Sequence, residues 1–258
     1  MNKLFRVSLL LAAVLTLGSS MAFADEQENK AQDPAVTDKG LAISALINMS
    51  EYLRSLDTFT LQGNVDIDEV LANGQKIQLS RSVLIKADPP SGLWAKTSSM
   101  YSDQEFFFDG KTFTITTPDL GYYASFDAPA TIGKVIVKAR DKYNVEVPLS
   151  DLFFWRDNID AVADIDEAII VGVDLIDGIS CNQFAFREKD IDWQIWIQRG
   201  DTPLPLKLVI TSKEEKSQPQ YVVVLKWNTA PALSDQIYTF TPADSDHKIN
   251  FKIAEATK

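Results

Sequence analysis

The chain has 258 residues, of which 45% are hydrophobic and 24% are charged, as in an ordinary soluble globular protein. This composition excludes a disordered or collagen-like chain, and the single cysteine excludes an internal disulfide scaffold. The 25 basic and 36 acidic residues give a net charge of −11. Such a field repels phosphate groups, so nucleic acid and anionic lipid surfaces are poor partners.

Residues 1–24 have the three-part pattern of a secretory signal peptide. Lys3 and Arg6 precede an uncharged apolar run over 7–17, and a small-x-small pattern, Ala22-Phe23-Ala24, ends the segment. We predict cleavage between Ala24 and Asp25. A membrane anchor is the weaker alternative, because the apolar run is too short to cross about 30 Å of hydrocarbon. We therefore expect a periplasmic protein that does not span the membrane once the signal is removed. The mature chain would carry 23 basic and 36 acidic residues, a net charge of −13.

The next segments change in pattern along the chain. Residues 25–37 are polar and acidic, which predicts a disordered lead-in, and 38–258 are predicted to form a single domain. An apolar stripe at three- and four-residue spacing predicts a helix from Asp38 to near Asp57. Helical spacing returns over 129–156, where we predict a helical insert that could act as a lid. A period of two predicts strands at 59–67, 76–86, 93–100, 104–108, 112–116, 122–126, 169–176, 179–187, 192–198, 206–212, 220–227 and 237–240.

The predicted strands follow one another with short turns, which favours antiparallel pairing over a doubly wound fold. Asn73-Gly74 is the residue pair typical of a type I′ hairpin turn. We therefore predict a mainly β, α+β fold: a curved antiparallel sheet of about 11 strands, a half-barrel, wrapped around helices.

Residues suited to catalysis are few. His247 is the only histidine, so a zinc site built from several His or Cys ligands is not expected, and we predict no cofactor. No Gly-x-Ser-x-Gly motif presents a serine. Cys181 lies in a strand-like alternation and is predicted to be a buried small apolar residue, with an intermolecular disulfide or a reactive thiol as the alternative. An acidic group is predicted to be solvated, with calcium binding as the alternative; it comprises Asp157, Asp160, Asp164, Asp166 and Glu167.

Aromatic residues are the most distinctive feature of the predicted strands. Because side chains alternate across a strand, Trp193 and Trp196 lie on opposite faces, so both faces carry bulky residues. Helices packed on the sheet would explain this pattern; a cleft for an apolar guest would explain it as well. The candidate cavity-lining residues are Phe106, Phe108, Tyr123, Phe154, Trp155, Trp193 and Trp196.

The segment Asp192-Trp193-Gln194-Ile195-Trp196-Ile197, followed by Pro203-Leu204-Pro205, resembles domain-of-unknown-function family 2092. Phe107-Phe108-Asp109-Gly110-Lys111 and Pro148-Leu149-Ser150-Asp151-Leu152 resemble the same family, and the resemblance covers nearly all of 38–253. Where members often have histidine two residues after the cysteine, this chain has Gln183. The family is similar in fold to the lipoprotein carriers (LolA/LolB-like half-barrels), which implies a curved sheet around helices with a cavity for acyl chains. It implies no catalytic residues.

Two functions remain open from the sequence. The first is a periplasmic binding protein that holds an acyl chain, a lipid or a lipidated protein against apolar walls. The second is a regulatory or envelope-sensing module that binds another envelope protein without a small ligand. An esterase-like hydrolase is a weaker third alternative, because it would depend on His247 alone. We therefore expect a binding protein, not an enzyme.

Overall fold

The computed structural model describes residues 35–157 and 159–253, with side chains described for 38–156 and 162–253. The predicted signal peptide and its cleavage site lie outside these residues. Helix α1 spans Ala35–Ser55, beginning three residues before the predicted start. Helices α2 (Ile132–Tyr143) and α3 (Ser150–Asp157) form the predicted insert. Short 3-10 helices lie at Pro118–Leu120, Ile159–Asp164 and Asp235–Tyr238.

Twelve strands form one sheet, which confirms the predicted fold class. They are β1 (Phe59–Val70), β2 (Lys76–Asp88), β3 (Gly92–Ser99), β4 (Asp103–Phe108), β5 (Thr112–Thr117), β6 (Tyr122–Asp127), β7 (Glu167–Ile176), β8 (Ile179–Arg187), β9 (Ile191–Gln198), β10 (Pro205–Ser212), β11 (Gln220–Asn228) and β12 (His247–Lys248). The order across the sheet is β12-β6-β5-β4-β3-β2-β1-β11-β10-β9-β8-β7. All pairs are antiparallel except β12 with β6.

The strand order explains why the helices lie on one face of the sheet. Strands β6 and β7 are consecutive in the chain but stand near opposite edges, so α2 and α3 must cross the sheet between them. The sheet is curved and unclosed. Its curl is visible in the ion pair between Asp177, in the β7–β8 turn, and Lys226 of β11, whose charged atoms are 3.1 Å apart. Strands β9 and β10 lie between β8 and β11 in the sheet.

The face that the helices cover, here called the inner face, is apolar. One row of paired residues runs across six strands, from β6 to β1: Ala124, Ile115, Phe106, Ala95, Ile85 and Leu61. The buried stripe of α1 packs into the same core, with Ala42, Leu46, Met49 and Leu53 each at most 4% exposed. Burial of apolar surface contributes about 25 cal/mol per Å², so this shared core is the main stabilising feature of the fold.

The C-terminal segment covers the other face, here called the outer face, and then wraps around the β6 edge. Residues 237–240, predicted as a strand, instead comprise the end of the Asp235–Tyr238 3-10 helix and the two residues after it. Phe240 packs on Phe107 and Tyr123 at ring distances of 5.3 and 5.0 Å. The prediction of this strand was wrong because apolar contacts with the outer face, not sheet pairing, bury the segment. Strand β12, which was not predicted, then pairs with β6, and Phe251 reaches Tyr143 of α2.

Substitution by alanine is expected to change the free energy of unfolding in opposite directions at Gly92 and Gly40. A Cβ at Gly92 would lie 2.8 Å from Cε2 of the buried Tyr238 ring, whereas a Cβ at Gly40 in α1 meets nothing within 4 Å. We expect Gly92→Ala to lower the free energy of unfolding by about 1–3 kcal/mol through overpacking. We expect Gly40→Ala to raise it by about 0.5–1 kcal/mol, because alanine favours a helix interior. Urea denaturation of both variants tests this; equal effects would contradict the packing of Tyr238 on β3.

Candidate functional site

The seven candidate aromatic residues divide among three locations. Phe106, Phe108 and Trp193 are buried on the inner face, at 2%, 0% and 7% exposure. Phe154 and Trp155 lie on α3 and are half-buried. The residues that the structure brings together are Trp155 and Trp193, whose rings stack at 6.1 Å, with Phe186 stacked on Trp193 at 4.2 Å. This stack joins α3 to the inner face.

Tyr123 and Trp196 lie on the outer face, away from the helices. Tyr123 pairs with Thr116 in the ladder and is covered by Phe240. Trp196 is 5% exposed because its indole N–H donates to Asp174 at 2.9 Å and Lys207 lies over its ring at 4.6 Å. The alternation predicted that Trp193 and Trp196 point apart, and the polar partners of Trp196 show which of them points outward.

An apolar cavity opens at the end of the curled half of the sheet. Its volume is about 320 Å³, which lies at the lower end of small-molecule sites. None of the seven candidates lines it. Apart from Asp177, Gln198 and Lys226, the lining is apolar: Ile176, Ile179, Leu204, Leu206, Leu225 and Trp227. The ion pair between Asp177 and Lys226 lies at this cavity.

A series of aromatic rings connects this cavity to the helices. Trp227 lines the cavity and packs on Phe59 at 5.4 Å, and Phe59 packs on Phe153 of α3 at 6.1 Å. The Trp227 indole N–H donates to the Pro205 carbonyl at 2.8 Å, which fixes the orientation of the ring. The cavity is therefore continuous in its apolar contacts with the interior that α3 fills.

The α2–α3 hairpin (residues 132–157) packs on the inner face through buried apolar side chains of both helices. Leu149, just before α3, occupies the space above Gly63 of β1, where its Cδ1 would lie 3.3 Å from an added Cβ. Asn144 and Leu149, which bracket the loop between the two helices, both have positive φ, 53° and 54°. At the far end, Ser50 of α1 donates its hydroxyl to the Trp155 carbonyl. Gly63 thus leaves room for the loop to sit on the sheet.

Asp151, in the first turn of α3, is a largely buried carboxylate. Its pKa is raised to about 7, first by burial and then by repulsion from Glu146, while Arg140 opposes the shift. Arg140 is engaged elsewhere, since its Nε lies 2.9 Å from the Asp141 carboxylate. Burial and the nearby Asp151 also raise the pKa of Tyr221 on β11. Among the described residues, Asp151 forms no ion pair.

The other candidates for chemistry lie apart from this interior. His247 is exposed on β12 at one edge of the sheet, whereas Cys181 is buried on β8 near the opposite edge, as predicted for a small apolar residue. Burial raises the pKa of the Cys181 thiol. Of the acidic group, Asp166 and Glu167 are exposed and Asp164 is partly exposed; the side chains at 157 and 160 lie outside the described set. Within the described residues no cluster of His, Cys, Asp or Glu is suited to hold a metal ion.

Comparison with solved structures finds similar proteins at low sequence identity. Lipoprotein LppX of Mycobacterium tuberculosis is 13% identical, with 76% of this chain and 99% of that chain covered and a TM-score of 0.46. The MucA/MucB complex of Pseudomonas aeruginosa contains a chain that is 18% identical, with coverage of 77% and 61% and a TM-score of 0.42. A LolA superfamily protein of Nitrosomonas europaea is 12% identical, with coverage of 77% and 97% and a TM-score of 0.32. No curated protein matches the chain significantly.

Among the described helices, none is both long and apolar enough to cross a membrane. The family model described as "Predicted periplasmic protein (DUF2092)" matches residues 42–252, which is most of the chain and includes the whole sheet. The chain therefore belongs to domain-of-unknown-function family 2092, a family of proteins described as periplasmic.

Proposed function

We propose that this protein is an exported periplasmic binding protein for an apolar ligand, such as an acyl chain, a lipid or the lipid of a lipidated protein. The observation that carries the proposal is the apolar cavity of about 320 Å³ at the end of the curled sheet. Each methylene that leaves water contributes about 0.8 kcal/mol. A ligand chain therefore needs no polar recognition to bind there.

A longer ligand requires movement of the α2–α3 hairpin. The inner face is filled by the protein's own side chains, with Phe106, Phe108 and Phe153 almost completely buried. The contacts from Trp227 through Phe59 to Phe153 indicate the direction in which a chain would extend. A ligand that replaces α3 on this surface exchanges one apolar contact for another, so the exchange is small in free energy compared with exposing the inner face to water.

Two isoleucines of the β7–β8 hairpin offer a matched test. Ile179 lines the cavity and Ile169 does not, yet each is 41% exposed. We expect the wild-type mature protein to bind palmitate or lysophosphatidylethanolamine, seen as an added mass by native mass spectrometry. We expect Ile179→Trp, which fills the cavity, to weaken uptake at least tenfold, whereas Ile169→Trp leaves it unchanged.

The same experiment separates this role from a protein-interaction role. Equal uptake by both variants would contradict binding at the cavity. A protein that takes up none of these lipids would overturn the proposal and favour the alternative of a module that binds another envelope protein without a small ligand. Urea denaturation of both variants controls for loss of folding.

A further inference from the structure

The two edges of the sheet are treated differently by the chain. The β6 edge is covered by the protein's own C-terminal segment, since His247 N–H donates to the Gly121 carbonyl at 2.7 Å and Ile249 N–H to the Tyr123 carbonyl at 2.8 Å. At the opposite edge, β7 pairs only with β8. Helix α1 packs against β7, and Lys39 of α1 donates to the carbonyls of Ile165 and Asp166 just before the strand. No other described strand pairs with β7.

The edge of β7 has only part of the usual protection against pairing. Natural edge strands are guarded by lysine, proline, bulges, short length or a covering helix. Helix α1 packs against β7 and the strand has a bulge between Ile170 and Gly172, but β7 has ten residues and contains neither lysine nor proline. Its side chains are instead apolar and accessible: Ile169, Ile170, Val171, Val173 and Leu175 are between 36% and 64% exposed. Leu175 N–H is bound by the Asp174 carboxylate at 2.7 Å. Elsewhere in β7, the described contacts show no hydrogen bond from the backbone to anything except β8.

The start of β7 is acidic. Glu167 is paired with Arg187 at 3.3 Å, whereas Asp164 and Asp166 form no ion pair within the described residues. The pKa of Glu188 is raised, first by burial and also by repulsion from Asp164 and Asp166, so these carboxylates lie close enough to reinforce one another. Lys39 and Lys213 also stand near this end of the strand, but their ammonium groups form no ion pair with Asp164 or Asp166 among the described residues, so these two carboxylates would attract a further cation.

We propose that β7 is a docking strand for an extended apolar peptide segment that carries basic residues at its C-terminal end. An added antiparallel strand satisfies the free N–H and C=O groups of the edge, and its C-terminal end then meets Asp164 and Asp166. A second copy of this chain fits less well. Antiparallel pairing of two β7 strands would bring Asp164 and Asp166 of each copy toward Asp174 and Asp177 of the other, and each copy has a net charge of −11.

A defined peptide tests the proposal independently of lipid binding. The probe is a fluorescein-labelled nine-residue peptide of alternating valine and threonine that ends in Lys-Arg, titrated with the mature protein by fluorescence anisotropy. We expect saturable binding that weakens with salt. We expect Val173→Lys to weaken it at least tenfold, because lysine on an edge opposes pairing. Leu41→Lys on α1 is the matched control, since Leu41 is 62% and Val173 61% exposed, and we expect it to bind as wild type does.

Two further controls distinguish strand addition and charge. A peptide with N-methyl groups on alternate residues cannot form the ladder, and we expect it not to bind. We expect the double variant Asp164→Asn, Asp166→Asn to bind the Lys-Arg peptide and a matching peptide that ends in Ser-Ser with equal affinity. The proposal is overturned if no peptide binds up to 1 mM, if the N-methyl peptide binds equally, or if Val173→Lys binds as wild type does. A dimer in sedimentation that Val173→Lys abolishes and that excludes the peptide would also overturn it, in favour of a second copy.

Discussion

Asp151→Asn is expected to stabilise the protein at pH 8 and to have little effect at pH 4.5. The folded state holds a proton on Asp151 up to a pKa of about 7, whereas an unfolded aspartate ionises near pH 3.9. Between these values the folded state binds more protons than the unfolded state, so this residue makes the free energy of unfolding fall as pH rises from about 4 to about 7. Above pH 7 the full penalty of a buried charge is present. Asparagine removes that penalty, which we expect to be about 2–4 kcal/mol.

Urea denaturation at pH 4.5, 6 and 8 measures this difference. Asp119→Asn is the control, because Asp119 is exposed in the Pro118–Leu120 turn, and its effect should stay within about 0.5 kcal/mol at every pH. A difference between Asp151→Asn and wild type that does not grow with pH would contradict this prediction and show that Asp151 is hydrated in the folded state.

The position of Asp151 links this titration to the proposed binding function. The carboxylate faces Glu146 from the α2–α3 loop, Arg140 from α2 and Tyr221 from β11. Movement of the α2–α3 hairpin away from the sheet would bring Asp151 into water and relieve the penalty. We therefore expect ligand uptake that requires this movement to be favoured above pH 7 and disfavoured near pH 5, and expect Asp151→Asn to remove the dependence.

The sequence predicted the strands well because their pattern is local. Eleven of the twelve strands follow from alternation between turns, and the same alternation separates Trp193 from Trp196. What alternation cannot supply is the identity of the inner face. Tyr123 and Trp196 were expected in the cavity, yet Phe240 covers the first and Asp174 and Lys207 cover the second. Phe240 lies more than 22 residues from Tyr123 along the chain, and Asp174 lies 22 residues from Trp196. Lys207 lies on the strand next to that of Trp196. Only the fold brings these residues together.

Turn residues show a second limit of local pattern. Asp177-Gly178 makes a two-residue turn with both residues at positive φ, 49° and 81°, as a type I′ turn requires. Asn73-Gly74 was predicted to do the same, but five residues separate β1 from β2 and only Gly74 has positive φ. The type I′ prediction was wrong because β1 and β2 end their pairing at Val70 and Lys76, which leaves a longer loop.

The apolar cavity was not predicted because its lining comes from distant parts of the chain. Its lining combines the β7–β8 hairpin with residues of β9, β10 and β11 and the loop before β10. Only the curl of the sheet brings these parts together, and no spacing within any one segment indicates it. Pro203-Leu204-Pro205 was noted for its family resemblance, and Leu204 proves to line the cavity. The local signal was present, but its meaning depended on the β7–β8 hairpin, which supplies Ile179 to the same cavity.

Leu149→Ala is expected to raise the affinity for an acyl ligand while it lowers stability. Leu149 anchors the α2–α3 loop above Gly63, and the loss of a partly buried leucine side chain costs about 1–2 kcal/mol. The lost contact destabilises only the closed state, in which the hairpin covers the inner face. Because the apparent dissociation constant is the intrinsic one divided by the fraction of open protein, it should fall about 5- to 30-fold. Gly63→Val, which displaces the same loop from the sheet side, should act in the same direction.

Gly92→Ala provides the control for general destabilisation. It disturbs Tyr238 on the outer face and leaves Leu149 untouched, so we expect similar loss of stability with no gain in affinity. Titration with palmitate, followed by the fluorescence of Trp155 and Trp193 as their stack separates, measures affinity in all three variants and in wild type. If Leu149→Ala binds more weakly than wild type, the loop forms part of the binding surface and does not close over it. If all three variants bind more tightly, the gain comes from loosened packing in general, and the α2–α3 hairpin is not the element that moves.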